Sequence, residues 1–189
     1  MSKPIIELKK FAHYPRMSEE TNAYNAIIVV DGVAAIDASN NGHGGCDSYH
    51  PVKTGAAAFA VFETAINKIK GYADSLPPIV SDLGTEDGRK FSYQPDLETV
   101  IGKLVEAAIR EKDEAKHRRK AEKDWPHTLF FRAKDGLSSF KITKRELQTQ
   151  GEIEVLTAKI LAKYPDLTAI PGNSFEAAWP AMLAAIYCK

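Results

Sequence analysis

Four side chains that can ligate a transition metal lie within eight consecutive residues of the sequence: His43, Cys46, Asp47 and His50. Imidazole, thiolate and carboxylate groups all bind zinc, so the His-x2-Cys-x3-His spacing could wrap one zinc or manganese ion. A closed zinc site needs four ligands, and the sequence offers no second Cys/His pair at compatible spacing. We therefore expect no cofactor, and a metal-assisted hydrolase or nuclease built on His43, Asp47 and His50 is an alternative hypothesis.

Glycines around the same side chains suit a different ligand. Residues 39–51 contain three glycines and almost no aliphatic side chain, and they lie between a predicted strand and a predicted helix. In such a turn several backbone N–H groups point toward a ligand, which favours phosphate or another anion. The segment matches neither G-x-G-x-x-G nor G-x-x-x-x-G-K-S/T, so both common nucleotide fingerprints are absent from it.

The leading hypothesis is a non-enzymatic protein that binds a small anionic, nucleotide-like ligand through this loop. The amides of Gly42, Gly44 and Gly45 would hold the anion, and the side chains of Asn41 and His43 would add directional hydrogen bonds. The predicted ligand-binding residues are Asn40, Asn41, Gly42, His43, Gly44, Gly45 and His50.

Cys46 is also a candidate nucleophile, because His43 and His50 are near enough in sequence for either to serve as its base. The spacing allows Cys46 and a histidine to lie close together, but it does not establish a catalytic pair. The nearby serines lack a G-x-S-x-G context. Whether the protein is an enzyme is therefore left open, and no catalytic residue is assigned.

The composition excludes several classes of protein. The 189 residues carry 25 Lys plus Arg against 25 Asp plus Glu, and 44% of them are hydrophobic. This is too apolar for a disordered chain and lacks the positive charge typical of duplex nucleic-acid binders. The longest purely apolar run, residues 56–62, is far too short to span a bilayer. With two cysteines and no apolar leader, we expect a cytoplasmic protein without a membrane partner.

A hairpin is predicted immediately before the loop. Residues 23–30 and 33–38 are rich in Ile, Val and Ala, and they flank Asp31-Gly32. An Asp-Gly pair suits the positive φ angles of a type I′ turn, which joins two antiparallel strands. Residues 4–11 predict a further short strand.

Two helices are predicted after the loop. Apolar residues recur at helical spacing from Thr54, with Gly71 as a plausible terminator. Residues 74–92 form a long connection with room for a short strand. Asp96 can cap a longer helix, and the second part of that helix, residues 110–124, loses its apolar face and is rich in both signs of charge. This charged helical arm gives a third hypothesis, an interaction module that binds or inhibits a host protein.

The rest of the sequence predicts a second hairpin and two more helices. The predicted elements are strands 128–132 and 137–142, a helix opened by a capping box at 143–146, a short strand 168–170 and a terminal helix 175–186. The sequence therefore predicts a single α+β domain over residues 1–189. It would contain an antiparallel sheet built from two hairpins, three to four packed helices and a long, partly solvent-exposed charged helix.

Two stretches resemble a known group of proteins: Ser-Glu-Glu-Thr at 18–21 with Tyr-Asn-Ala at 24–26 and Val-Asp-Gly at 30–32, then Ser-Asn-Asn-Gly-His-Gly-Gly at 39–45. The group consists of small uncharacterised proteins from bacteriophages and bacterial mobile elements. The resemblance covers about a quarter of the chain and implies a phage-type accessory protein in the host cytoplasm. Some small phage proteins block host defences by sequestering nucleotide signals or by binding a defence protein. A counter-defence role follows as an analogy.

Overall fold

Strands and helices alternate along the chain. The computed structural model describes residues 3–82, 90–125, 128–134, 136–141, 150–170 and 175–187. Its elements are, in chain order, β1 (Ile6–His13), a short 3-10 turn (Pro15–Met17), β2 (Tyr24–Val30), β3 (Val33–Asn40), β4 (Ser48–Pro51), α1 (Ala56–Asp74), β5 (Ile79–Asp82), β6 (Lys90–Tyr93), α2 (Leu97–Asp124), β7 (Thr128–Ala133), β8 (Gly136–Lys141), α3 (Gln150–Lys163), β9 (Thr168–Ala169) and α4 (Phe175–Tyr187). The chain divides into two compact units, residues 1–110 and 111–189.

The first unit is built on a four-stranded antiparallel sheet in the order β1-β2-β3-β4. Its centre is the predicted hairpin. Asp31 and Gly32 have φ angles of 50° and 82°, both positive as a type I′ turn requires. Ile28 on β2 pairs with Ile36 on β3, and both side chains are fully buried. The prediction of an antiparallel hairpin at this position is confirmed.

Two helices contribute to the core that lies on one face of this sheet. Ile69 of α1 and Ile101 of α2 are completely buried in the same cluster as Ile36. The long helix starts as predicted, because the carboxylate of Asp96 accepts the backbone N–H of Thr99 at 2.8 Å, as an N-cap residue does.

Two boundaries near the loop differ from the prediction. Residues 39–51 were expected to be one irregular segment, but Ser48–Pro51 pairs with β3 as the edge strand β4. Tyr49 packs against the core from this strand, and Pro51 is tolerated because an edge strand leaves one row of N–H groups unpaired. Gly71 does not end α1, since the helix continues to Asp74 and buries Ala73.

A two-stranded antiparallel ribbon, β5–β6, occupies the ends of the predicted 74–92 connection. The amide of Gln94 just beyond it donates to the carbonyl oxygens of Ala73 at 3.2 Å and Leu76 at 2.9 Å, at the C-terminal end of α1. These bonds tie the residue that follows β6 to the C-terminal end of α1. The ribbon is thereby fixed beside the point where α2 begins.

The second unit contains a three-stranded antiparallel sheet in the order β8-β7-β9. Its central strand is buried on both faces: Leu129 and Phe131 belong to one apolar cluster and Phe130 to another. The first cluster includes Leu156 of α3, and the second includes Ala178 of α4. The second predicted hairpin therefore exists as β7–β8, in a different sheet from the first. The capping box expected at 143–146 lies outside the described residues.

The predicted α+β class is confirmed, with helices and antiparallel sheets in both units. The long charged helix is present as well, and most of residues 110–124 are exposed. Arg118 is an exception, because its guanidinium group pairs with Glu122 and Glu176 and lies over the rings of Phe175 and Trp179. Among the residues that the structure describes, no helix combines the length and the apolar character needed to cross a membrane.

Candidate functional site

The glycine-rich loop, residues 41–47, connects β3 to β4 and is held against residues 17–21. The carbonyl oxygen of Gly42 accepts backbone N–H groups from Glu19 and Glu20, both at 3.0 Å. Gly42 itself is buried with a φ of 86°, and a Cβ at this position would overlap the carbonyl oxygen of Met17. Glycine is required here by close backbone approach as well as by conformation.

Asp47 is the polar centre of the loop. Its Oδ2 accepts hydrogen bonds from the hydroxyl groups of Tyr24 at 2.5 Å and Tyr49 at 3.1 Å. Its Oδ1 accepts from the side-chain amide of Asn40 at 2.9 Å, and its backbone N–H donates to Oε1 of Glu98 at 2.8 Å. Both carboxylate oxygens are therefore occupied by protein donors, which gives Asp47 a structural role.

The two tyrosines that donate hydrogen bonds to Asp47 have raised pKa values. Burial raises the pKa of both Tyr24 and Tyr49 well above the ordinary tyrosine value, and hydrogen bonding to the negative Asp47 raises it further. The phenols are therefore kept protonated as donors. Tyr24 belongs to the core cluster and Tyr49 packs against it, so this network links the loop directly to the apolar interior.

The amide donors predicted to bind an anion are partly engaged inside the protein. The N–H of Gly42 donates to Oδ1 of Asn40 at 2.8 Å, and the N–H of His43 donates to Oδ1 of Asn41 at 3.3 Å. The asparagines thus brace the loop's own backbone, in the manner of Asx turns.

Acidic side chains flank the loop. His43 Nδ1 lies 3.1 Å from Oε2 of Glu19, and the carboxylate of Glu20 lies beside Gly44. This negative charge is unfavourable for a bound anion. The anion site at residues 40–45 and His50 stays a prediction, and the amides of Gly42 and His43 and the imidazole of His43 are already paired within the protein.

The alternative metal site is not assembled. In β4, Tyr49 faces the core, so His50 as the next residue faces the opposite side of the sheet, where it lies across from Asp37. His43 pairs with Glu19, and the oxygens of Asp47 accept from tyrosine and asparagine. Over the described ranges no group of three or more His, Cys, Asp or Glu side chains is arranged to hold a metal ion.

A cavity of about 390 Å³ opens beside the loop. We call it the Glu98 cavity, and it is lined by Cys46, Asp47, Tyr49, Lys70, Asp74, Asp96, Leu97 and Glu98. The loop and β4 supply one wall, the last turns of α1 a second, and the first turn of α2 with its N-cap a third. Four carboxylates and one ammonium group therefore surround the space.

The negative charge of Glu98 also raises the pKa of the Cys46 thiol in this cavity. The Glu98 carboxylate is the largest influence on Cys46, whose pKa is raised by that negative charge and by a hydrogen bond to it. A nucleophilic cysteine needs the opposite, a positive neighbour that populates the thiolate. The predicted nucleophile is thus exposed but held as a neutral thiol, and neither histidine bonds to it among the hydrogen bonds of the described residues.

The sequence identified the loop but missed the groups that complete this cavity. Asp96 was recognised as a helix cap, and that signal could have placed Glu98 in the first turn of the same helix. Nothing local indicates that Glu98 contacts Asp47, since 51 positions separate them. Comparison with protein-family models, with curated proteins and with solved structures finds no match to this chain.

Proposed function

We propose that this chain is a ligand-binding protein whose Glu98 cavity accepts the ammonium or guanidinium group of a small organic cation. The observation that carries this proposal is the charge of the cavity lining. Asp47, Asp74, Asp96 and Glu98 contribute four negative charges against one positive charge from Lys70, so the lining has a net charge of −3. A concave site with one sign of charge concentrates ligands of the other sign.

The two carboxylates in the first turn of α2 are fixed in different ways. Asp96 is held by the backbone N–H and hydroxyl of Thr99, and these bonds lower its pKa, so it is ionised. Glu98 is held by the N–H of Asp47. Each keeps oxygen lone pairs that can accept from a ligand, because a carboxylate has about four acceptor sites.

The cavity also offers apolar contact and a suitable size. Tyr49 and Leu97 are half-buried in its lining and can cover the alkyl stem of a diamine or an arginine-like ligand. A volume of about 390 Å³ lies within the range of small-molecule sites. Binding is favoured over catalysis, because the Cys46 thiol is held neutral and Asp47 is occupied by three donors.

Calorimetric titration with putrescine and agmatine tests this proposal. We expect binding that weakens as salt is raised, and no binding of butanediol, which lacks the charge. Glu98→Gln keeps the shape and the acceptor for Asp47 but removes the charge, so it should weaken binding by about fivefold. Lys70→Met removes the competing ammonium group and should tighten binding.

The matched control is Glu106→Gln, which makes the same charge change at an exposed position further along α2. Its affinity for both amines should equal that of the unaltered protein. Absence of amine binding to the unaltered protein overturns the proposal. An equal loss in Glu98→Gln and Glu106→Gln also overturns it, because it would mean non-specific attraction to an acidic surface.

A further inference from the structure

A second cavity, of about 470 Å³, lies within the second unit. We call it the Phe130 cavity, and it is lined by His117, Lys120, Ala121, Asp124, Thr128, Phe130, Ser139, Lys141, Met182 and Ile186. The end of α2, the β7–β8 hairpin and α4 each supply part of the wall. None of the ligand-binding residues predicted from the sequence contributes to it.

The charge of this lining is opposite to that of the Glu98 cavity. Lys120 on α2 and Lys141 on β8 bring two ammonium groups from different elements, against the single carboxylate of Asp124. His117, one turn before Lys120, adds an imidazole. Cationic groups that converge from two sides of a cavity favour a ligand with a negative group.

The remainder of the lining combines the hydroxyl groups of Thr128 and Ser139 with an apolar surface formed mainly by Phe130, Met182 and Ile186. Phe130 is 9% exposed, and Met182 and Ile186 on α4 are half-buried beside it. The ring of Phe130 is stacked on Trp125, with centroids 4.8 Å apart and planes 6° apart. This stacking fixes the ring, so the cavity presents a rigid apolar surface next to its charged groups.

The walls are also held together. Arg118 on α2 pairs with Glu176 on α4 and lies over the rings of Phe175 and Trp179. On the hairpin side, the hydroxyl of Thr128 donates to the carbonyl oxygen of Asp124 at 3.0 Å, which ties the start of β7 to the end of α2. A cavity with such fixed walls is largely formed before a ligand enters, which reduces the ordering cost of binding.

We propose that the Phe130 cavity binds a small amphipathic organic anion. Its carboxylate or phosphate would pair with Lys120 and Lys141, and its aliphatic or aromatic body would lie on Phe130, Met182 and Ile186. This proposal is independent of the Glu98 cavity, since the two share no residue. It also gives the predicted anionic ligand a binding site with positive charge, which the glycine-rich loop lacks.

Calorimetric titration of the full chain with octanoate and with adenosine monophosphate tests the inference, at about 50 mM and about 200 mM salt. We expect at least one of these anions to bind, and more weakly at the higher salt. Binding of octanoate alone assigns an aliphatic carboxylate, and binding of the nucleotide alone assigns a phosphorylated aromatic. Octanol and adenosine, which lack the anionic group, should bind at least about tenfold more weakly.

Lys120→Met and Lys141→Met should each weaken binding of the anion about three- to tenfold. Both side chains are exposed, so the variants are expected to fold, and their melting temperatures provide the check. Lys103→Met is the control, since it makes the same charge change at an exposed position of α2 outside the cavity. The inference is overturned if neither anion binds, if the uncharged compounds bind equally well, or if the control loses as much affinity.

Discussion

The backbone N–H of Asp47 donates to the carboxylate of Glu98 at 2.8 Å and joins the glycine-rich loop to the first turn of α2. The same Glu98 carboxylate contacts the thiol of Cys46 and raises its pKa. One side chain thus anchors the loop, contributes one of the four negative charges of the adjacent cavity and suppresses the thiolate. Glu98→Gln separates the anchoring from the two effects of charge, because it removes the charge but keeps an acceptor oxygen for the N–H of Asp47.

Thiol reactivity should increase when the charge of Glu98 is removed. Glu98 raises the pKa of the Cys46 thiol, so Glu98→Gln should lower that pKa and increase the thiolate fraction at any pH below it. At pH of about 8 we expect alkylation by iodoacetamide to accelerate a few-fold, since the thiolate is the reacting species. The measurement is made in a Cys188→Ser background, so that only Cys46 reacts. An unchanged rate, or the same acceleration in Glu106→Gln, contradicts this account.

Stability should decrease at high pH because of the two tyrosines that hold Asp47. Their pKa is raised in the folded state, whereas an unfolded tyrosine ionises near pH 10. Their contribution is therefore complete below about pH 10 and is lost as the pH rises further. Urea unfolding between about pH 8 and pH 11 measures this loss, and Tyr49→Phe should make it less steep. Tyr93→Phe, at an exposed position of β6, should leave the pH dependence as it is.

Gly42→Ala should destabilise the protein strongly, by about 3 kcal/mol or more, because strain at a positive φ adds to overlap with the carbonyl oxygen of Met17. Gly45→Ala is the matched variant: its φ is also positive, at 94°, but no atom lies within 4 Å of the added Cβ. Urea unfolding of both variants separates the cost of backbone strain, which both share, from the cost of the overlap with Met17, which only Gly42→Ala has. Equal destabilisation would show that the close approach at Gly42 contributes nothing.

Local signals in the sequence predicted the parts of the fold that depend on neighbouring residues. Asp31-Gly32 determines its own turn, and Asp96 caps its own helix through Thr99. Strand β4 was missed because Tyr49 is its single strong strand former. The strand is stabilised by its pairing with β3, which the local sequence does not show. Local chemistry is therefore sufficient for turns and caps but insufficient for a short edge strand.

The candidate site was predictable only in part for the same reason. Glycine content correctly singled out an irregular loop, but the sequence does not show which side chains surround it. The carboxylates of Glu19 and Glu98 reach the loop from before and after it in the chain, and they change its electrostatic character. Likewise, the sequence predicts a ligand contact for Asn40 but does not show that its side chain bonds to Gly42 and Asp47 within the protein.

Neither edge of the four-stranded sheet is well suited to pairing with a strand from another molecule. At one edge, β4 is only four residues long and ends in Pro51, which has no N–H to donate. At the other, β1 carries Lys9 and Lys10, and its register shifts between Lys9 and Ala12, where Lys10 adopts a φ of 50°. Short length, proline, positive charge and a bulge are the features by which natural sheets prevent edge-to-edge aggregation. Self-association through continuation of this sheet is therefore disfavoured by its construction.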